Sequence, residues 1–249
     1  MGVLEIRNFT KVYGGTKKAV DGLTLDVEAG DIYGFIGHNG AGKTTTLKSV
    51  AGILQFDGGE ILVGGKSVRT QPLECKKMIA YIPDNPDLYE YMTGIKYLNF
   101  IADIFGVSAQ ARQERVRKYA DLFELTADLA QPIAAYSHGM KQKLAIISAW
   151  LHEPKLIIMD EPFVGLDPKA AHILKGMMRE LCSAGGAIFF STHVLEVAEK
   201  LCDKVAIIKG GRLVVSGTME EVKAQSAAGN GFIKTMWCGD LDLSLIHIS

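Results

Sequence analysis

The sequence predicts an α/β fold with a mostly parallel β-sheet, and three observations support that prediction. Short segments rich in Val, Ile and Phe, such as residues 155–161 (KLIIMDE) and 187–192 (AIFFST), alternate with segments of helical periodicity. The strand-like segments are apolar along nearly their whole length, which is typical of strands that helices cover on both faces. Between about residues 88 and 150 the strand signals nearly vanish, which predicts a helical insertion.

The first part of the chain is predicted to be rich in β-structure. Its β-branched and aromatic content and its glycine punctuation predict strands at residues 3–13, 23–30 and 31–37. We expect these strands to include an N-terminal antiparallel β subdomain. A helix, a hairpin that turns at Gly64-Gly65 and a further strand-like segment are expected at residues 44–54, 58–68 and 77–83.

After the insertion, strands and helices alternate again. The expected order is a strand, a helix, a strand, a helix and a strand pair, at residues 155–161, 168–184, 187–192, 193–201 and 204–217. The pattern weakens from about residue 224. Residues 243–249 (LSLIHIS) look like the translated end of a sequencing adapter, so we expect them not to be native and the true C-terminus to be missing. The alternative is an ordinary short strand.

Composition limits the possible partners and compartments. The formal net charge is −1, which gives no electrostatic reason to expect a nucleic-acid partner. No apolar stretch approaches the 18 to 20 or so residues that span a bilayer, and the N-terminus does not resemble a secretory signal. We expect association with a membrane to occur only through a partner. The four cysteines lack metal-ligand spacing and are expected to be buried, reduced residues: Cys75, Cys182, Cys202 and Cys238.

Residues 37–44 (GHNGAGKT) fit the phosphate-binding pattern G-x-x-x-x-G-K-[ST] at every fixed position. The glycines Gly37, Gly40 and Gly42 allow consecutive backbone N–H groups to turn inward, and a helix that starts near Lys43 adds its positive dipole end. Lys43 can then reach the β- and γ-phosphates, and the Thr44 hydroxyl can bind Mg²⁺. With the apolar segment 31–36 leading into the loop, the sequence predicts a nucleoside triphosphate site on a P-loop NTPase fold.

The predicted strand 155–161 ends in two adjacent carboxylates. Asp160 can manage the metal, and Glu161 can orient and deprotonate an attacking water. Both lie at the carboxyl end of the strand, where ligands bind in open α/β sheets. The alternative is a structural pair that caps a helix. His193 follows the next predicted strand and is placed to reach a γ-phosphate, although a lone histidine is more often structural.

Two helix starts carry further polar residues. Asp167 precedes Pro168 and is expected to cap the helix that follows. In YSHGMKQK (136–143), Ser137 and Gly139 offer a hydroxyl and exposed N–H groups at a helix start, which is a second possible anion site. Taken alone, that segment is also consistent with a simple capped helix.

The order GHNGAGKT, YSHGM, LIIMDEP, GLD and STH resembles the nucleotide-binding domain of an ATP-binding cassette (ABC) transporter. The resemblance covers roughly residues 3 to 222. It implies ATP and Mg²⁺ as ligands, with Glu161 as general base, His193 as γ-phosphate sensor and Asp167 in the loop that communicates between two sites. It also implies ATP contacts within the chain from Tyr13, whose ring stacks on adenine, and from Gly37, His38, Asn39, Gly40, Ala41, Gly42, Lys43, Thr44 and Thr45. Contacts to the ATP of a partner subunit are implied for Ser137, His138, Gly139 and Met140.

Two positions depart from the family pattern. The usual signature is LSGGQ, whereas this chain has YSHGM. Asp84 stands where the family usually carries a glutamine that senses the membrane subunit. A carboxylate there can still bind Mg²⁺ or a water, so we assign Asp84 to the metal site together with Thr44 and Asp160. This combination resembles the exporter-like bacterial branch that includes Ecs-type, antibiotic-resistance and bacteriocin-immunity transporters.

The resemblance implies a domain at residues 1–225, with a RecA-like core at about 1–87 and 151–225 and a helical subdomain at about 88–150. A tail at 226–242 would follow. Such a chain is expected to hydrolyse ATP as a head-to-tail homodimer or heterodimer and to drive a separate permease from the cytoplasmic face of the cell membrane. The alternatives are a soluble ABC ATPase acting on ribosomes or DNA, and a regulatory subunit that binds ATP without turnover. The presence of Glu161 disfavours the last.

Overall fold

A computed structural model describes residues 2–227 of the chain. The tail was predicted at residues 226–242, but residues 226 and 227 end the last described helix. The rest of the tail, residues 243–249 and Cys238 lie outside the described residues. Strands run over β1 (Gly2–Tyr13), β2 (Lys17–Glu28), β3 (Ile32–Ile36), β4 (Gly58–Val63), β5 (Lys66–Ser67), β6 (Ile79–Ile82), β7 (Leu156–Asp160), β8 (Ala187–Thr192), β9 (Lys204–Lys209) and β10 (Arg212–Thr218). Helices run over α1 (Lys43–Val50), α2 (Pro72–Met78), α3 (Gly94–Ile104), α4 (Ala109–Leu122), α5 (His138–Trp150), α6 (Pro168–Ser183), α7 (Leu195–Leu201) and α8 (Met219–Ala227).

The strands of the described region form two sheets. One is antiparallel with the order β2-β1-β4-β5, and the other has the order β10-β9-β3-β8-β7-β6. In the second sheet β9, β3, β8, β7 and β6 are parallel, while β10 pairs antiparallel with β9. The sequence prediction of an N-terminal antiparallel unit and a mostly parallel sheet is therefore confirmed.

Burial explains why the central strands are apolar throughout. All five residues of β3 and all five of β7 are buried, as are all six of β8. One hydrophobic cluster lies between this sheet and the antiparallel sheet, and it includes Phe9, Phe35 and Phe189. A second cluster joins the other face of the sheet to α3, α4 and α5. The predicted helical insertion is confirmed, and it shares its core with the sheet.

Several element ends differ from the sequence prediction for local reasons. β2 begins at Lys17 rather than at residue 23, because Lys17 pairs with Tyr13 across a tight turn in the antiparallel ladder. α1 ends at Val50 rather than at residue 54, since Gly52 adopts φ +67° and breaks the helix. The hairpin turn at Gly64-Gly65 is confirmed, with φ +55° and +76°. The short helices α2 and α8 were not predicted.

Two further expectations from the sequence concern the cysteines and membrane-spanning segments. Cys75, Cys182 and Cys202 are buried with free thiols, as predicted. Burial is the main cause that raises the pKa of each of these three thiols. Within residues 2–227, every helix is too short or too polar to cross a bilayer.

The shared core leads to a stability prediction. Leu98 of α3 is fully buried in the cluster that also contains sheet residues, so Leu98→Ala should lower the free energy of unfolding by about 2–5 kcal/mol. Ile104 lies on the same helix and is 59% exposed, so Ile104→Ala should change it by less than about 0.5 kcal/mol. Urea unfolding followed by circular dichroism measures both. Equal effects of the two substitutions would contradict the packing described here.

Candidate functional site

The phosphate loop connects β3 to α1 at the carboxyl end of the parallel sheet. Two of its glycines are required by close approach of other segments. A Cβ atom on Gly37 would lie 2.6 Å from the carbonyl oxygen of Ile208, and one on Gly42 would lie 2.6 Å from that of Ala19. Gly42 also adopts φ +109° just before α1, a conformation that L-residues avoid. Gly40 has open space around it but adopts φ +80°.

Lys43 is held inside this loop. Its ammonium donates to the carbonyl oxygen of Gly37 at 2.6 Å and to that of His38 at 3.4 Å, and it lies 3.8 Å from Glu161 Oε1. Burial lowers the pKa of Lys43, and the charges of Glu161 and Asp160 oppose that shift. A phosphate bound in the loop would stabilise the ammonium further, because an adjacent anion favours the charged form.

Asp160 joins the phosphate loop to the neighbouring strand. Thr44 Oγ1 donates to Asp160 Oδ2 at 2.6 Å, and Ser191 Oγ donates to Asp160 Oδ1. Asp160 and Ser191 are partners across the parallel pair of β7 and β8. The Thr44 hydroxyl and the Asp160 carboxylate are oxygen ligands of the kind that Mg²⁺ prefers, so the pair fits the predicted metal role.

Glu161 follows β7 in a strained conformation. It is a non-glycine residue with φ +47°, which costs of order 1–3 kcal/mol and persists only where the surroundings fix it. Its N–H donates to Ser191 Oγ at 3.1 Å and to the Ser191 carbonyl at 3.3 Å. Its Oε1 lies 2.8 Å from His193 Nδ1, so the two residues predicted as base and sensor are in direct contact.

These groups surround one cavity of about 540 Å³, a size typical of small-molecule sites. Its lining includes the predicted residues Tyr13, His38, Asn39, Gly40, Gly42, Lys43, Thr44, Thr45, Asp84, Asp160 and Glu161. Gly37 and Ala41 are buried members of the same loop, and His193 contacts the site through Glu161. The sequence prediction missed four lining residues, Lys17, Lys18, Ala19 and Gly210. The adjacent residues Lys17 and Lys18 could have revealed this part of the lining in the sequence, because cationic side chains attract a triphosphate.

Two further lining residues suit different parts of a nucleotide. The aromatic ring of Tyr13 suits the base, and the carboxylate of Asp84 suits a metal ion beside the phosphates. The Tyr13 ring is 43% exposed, and the Lys11 ammonium lies 5.3 Å from its centroid, within the range of a cation–π contact. The rest of the ring is available for stacking on a base. Asp84 adds a third carboxylate to the lining, and its charge, with that of Asp160, contributes after burial to the raised pKa of Tyr81.

The second predicted anion motif lies outside this cavity. Ser137 caps α5, with its Oγ accepting from the N–H of Met140 at 3.2 Å. Ser137 and His138 are exposed, and Gly139 and Met140 are half-buried; none of the four is among the cavity-lining residues. Asp167 caps α6 through the Ala170 N–H at 2.8 Å, as predicted. Lys143, 2.8 Å from the Asp167 carboxylate, is the main cause of the lowered pKa of Asp167.

Comparison with known proteins gives consistent results. A family model described as "ABC transporter" matches residues 20–164, more than half of the chain. An uncharacterized ABC transporter ATP-binding protein of Nostoc sp. is 37% identical over 82% of this chain; the match spans only 61% of that relative's length. The ABC-type transporter ATP-binding protein EcsA of Bacillus subtilis is 35% identical over 90% of this chain and 91% of its own.

A solved structure titled as the ATP binding subunit of an ABC transporter has the same fold. It superposes with a TM-score of 0.89 at 34% identity, covering 95% of this chain and 98% of that one. The similarity therefore extends over both sheets and the helical insertion.

The role of Ser191 can be tested directly. Ser191 is fully buried, and Ser191→Ala removes the donor to Asp160 Oδ1, so we expect the free energy of unfolding to fall by about 1–3 kcal/mol. The Mg²⁺ concentration needed for half-maximal nucleotide binding should rise, because Asp160 loses a contact that orients it. Urea unfolding and Mg²⁺ titration with a fluorescent ATP analogue measure the two effects. Exposed Ser183→Ala is the control, and identical behaviour of the two variants would refute this role.

Proposed function

Because the chain belongs to the ABC transporter family, we propose that it is an ATP-hydrolysing subunit that acts as a head-to-tail dimer and drives a separate permease. One observation carries the hydrolytic part of this proposal. Lys43, the Thr44–Asp160 pair and the Glu161–His193 pair border or contact a single cavity. A regulatory subunit that binds ATP without turnover would not require a base and its orienting histidine in that arrangement.

Each of these residues has a defined task in the proposed reaction. The loop N–H groups and Lys43 hold the β- and γ-phosphates, while Thr44 and Asp160, with Asp84 nearby, are the residues that would hold Mg²⁺. When bound, the ion neutralises charge that develops on the phosphate oxygens. Glu161 accepts a proton from the water whose oxygen attacks the γ-phosphorus, and ADP departs with the bonding electrons. His193 fixes the Glu161 carboxylate by contact at 2.8 Å.

The position of the second anion motif supports a head-to-tail dimer. Ser137 to Met140 lie outside the cavity of their own chain, at the start of a 13-residue helix whose later residues are buried. Its free N–H groups and dipole favour an anion. In a symmetric dimer each chain can therefore offer this helix start to the γ-phosphate bound by the other. Homodimers and heterodimers with another ABC subunit both satisfy this geometry.

An exposed aromatic cluster supports the contact with a permease. We define this cluster as Tyr89, Tyr91 and Phe100, which are 46%, 80% and 37% exposed. The Tyr89 ring centroid lies 5.9 Å from that of Tyr91 and 5.6 Å from that of Phe100. Exposed aromatic groups of this kind are enriched at protein interfaces. The cluster begins five residues after Asp84, so the helical insertion can link a membrane subunit at the cytoplasmic face to the nucleotide cavity. The resemblance to exporter-like ABC proteins favours export as the direction.

The assignment of the base can be tested by Glu161→Gln. The amide keeps the shape but cannot accept the proton, so turnover should fall by at least about 100-fold, the range typical of a lost general base. ATP binding should persist, and the variant should accumulate as an ATP-bound dimer in sedimentation velocity. Exposed Glu153→Gln is the matched control and should keep wild-type turnover. Hydrolysis by Glu161→Gln at the wild-type rate would show that another group is the base.

The permease contact can be tested by Tyr91→Asp. The permease would bury the new charge among the aromatic rings, so binding should weaken by at least about tenfold, as for a hot-spot residue. ATPase activity of the isolated chain should not change, because Tyr91 lies outside the cavity. Pull-down with a candidate multi-span permease measures the first effect. Leu122→Asp, at an exposed residue of α4, is the control, and equal loss with both variants would argue against the aromatic cluster.

A further inference from the structure

The loop that follows Glu161 contacts the start of α5 at two points. The first is a contact between the backbone of Gly165 and the imidazole ring of His138. The second is the ion pair between Asp167 and Lys143, at 2.8 Å. The loop of residues 161–167 therefore contacts the helix that carries the second anion motif.

The backbone at Gly165 and the His138 ring approach each other closely. A Cβ atom on Gly165 would lie 2.4 Å from His138 Cδ2 and 2.8 Å from its Nε2, closer than any real contact of this kind. A Cβ atom on Gly139 would lie 2.9 Å from the Gly165 carbonyl oxygen. The His138 ring thus occupies the space that a side chain at position 165 would fill.

Local contacts order the same loop between Gly165 and the Glu161 carboxylate. The N–H of Val164 donates to the Glu161 carbonyl at 3.1 Å, and the N–H of Leu166 donates to the Phe163 carbonyl at 3.3 Å. The Phe163 ring packs edge-on against Phe190 of β8, with centroids 6.1 Å apart. Two hydrogen-bonded turns therefore connect Gly165 to Glu161, and a displacement at Gly165 can pass along them.

We infer that His138 is a positioning residue, whose ring passes the position of the α5 start to the loop that orients Glu161. The inference rests on the proposed head-to-tail dimer, in which the α5 start contacts the nucleotide of the partner. Nucleotide bound there shifts the first turn of α5, and the ring moves Gly165 with it. The family signature LSGGQ has glycine where this chain has His138, so chains with the LSGGQ signature lack this side-chain contact.

A double-mutant cycle tests this contact. Gly165→Ala should reduce kcat by about tenfold when His138 is present and by less than about twofold when it is replaced by alanine, as expected for residues in direct contact. His138→Ala alone should lower kcat by about threefold and reduce the Hill coefficient for ATP toward 1, with KM within about twofold, because binding at one site no longer reaches the base of the other. The full chain is assayed with saturating Mg²⁺ and varied ATP.

Two control variants separate the effect of the contact from the effects of backbone strain and of losing a histidine. Gly65 adopts φ +76° with open space around it, compared with φ +78° at Gly165, so Gly65→Ala reproduces the backbone strain without the clash. His172 is exposed on α6, so His172→Ala is a matched loss of a histidine. Both should keep the wild-type kcat and Hill coefficient.

The outcomes distinguish this inference from the proposed function. Equal loss from Gly165→Ala in both backgrounds, or unchanged kcat and Hill coefficient in His138→Ala, would overturn the positioning role while leaving the ATPase assignment intact. A wild-type chain that does not hydrolyse ATP would overturn the proposed function, and the inference with it.

Discussion

The arrangement of the site depends on the hydrogen bonds that the Asp160 carboxylate accepts. Asp160 is buried, and a buried carboxylate is stable only when hydrogen-bond donors satisfy it. Thr44 and Ser191 supply those donors. Because these residues belong to α1 and β8, while Asp160 ends β7, one carboxylate joins three segments that arrive from distant parts of the chain. The phosphate loop and the end of β7, which leads into Glu161, are thereby held in fixed relative positions.

These fixed positions bring the opposite charges of Lys43 and Glu161 close together. Lys43 lies within 3.8 Å of Glu161 and is almost fully buried. Its ammonium gains only partial compensation from that carboxylate and from two carbonyl oxygens. An incoming phosphate therefore finds donors already oriented, which avoids the cost of rearranging them during the reaction. The strained φ of Glu161 is consistent with a residue placed for chemistry rather than for stability.

Sequence alone predicted the parts of the site that are encoded by short spacings. The loop from Gly37 to Thr44, the pair Asp160-Glu161 and the cap at Asp167 each lie within a few residues. Sequence did not reveal the contacts that depend on strand order. Ser191 reaches Asp160 only because β8 lies beside β7, and Gly210 lines the cavity only because β9 lies beside β3. Likewise, the contact of His138 with Gly165 joins segments 27 residues apart, which periodicity cannot show.

The shared core determines how a signal can cross the molecule. Leu98 and Tyr119 of the helical insertion belong to the same hydrophobic cluster as Ile157 and Phe190 of the sheet. A close-packed interior transmits displacement rather than absorbing it. In the proposed transporter, a displacement of the aromatic cluster near Tyr91 would therefore reach the cavity through α5 and the segment that carries Asp84. The two routes converge on Glu161, because the α5 start contacts its loop and Asp84 lines the same cavity.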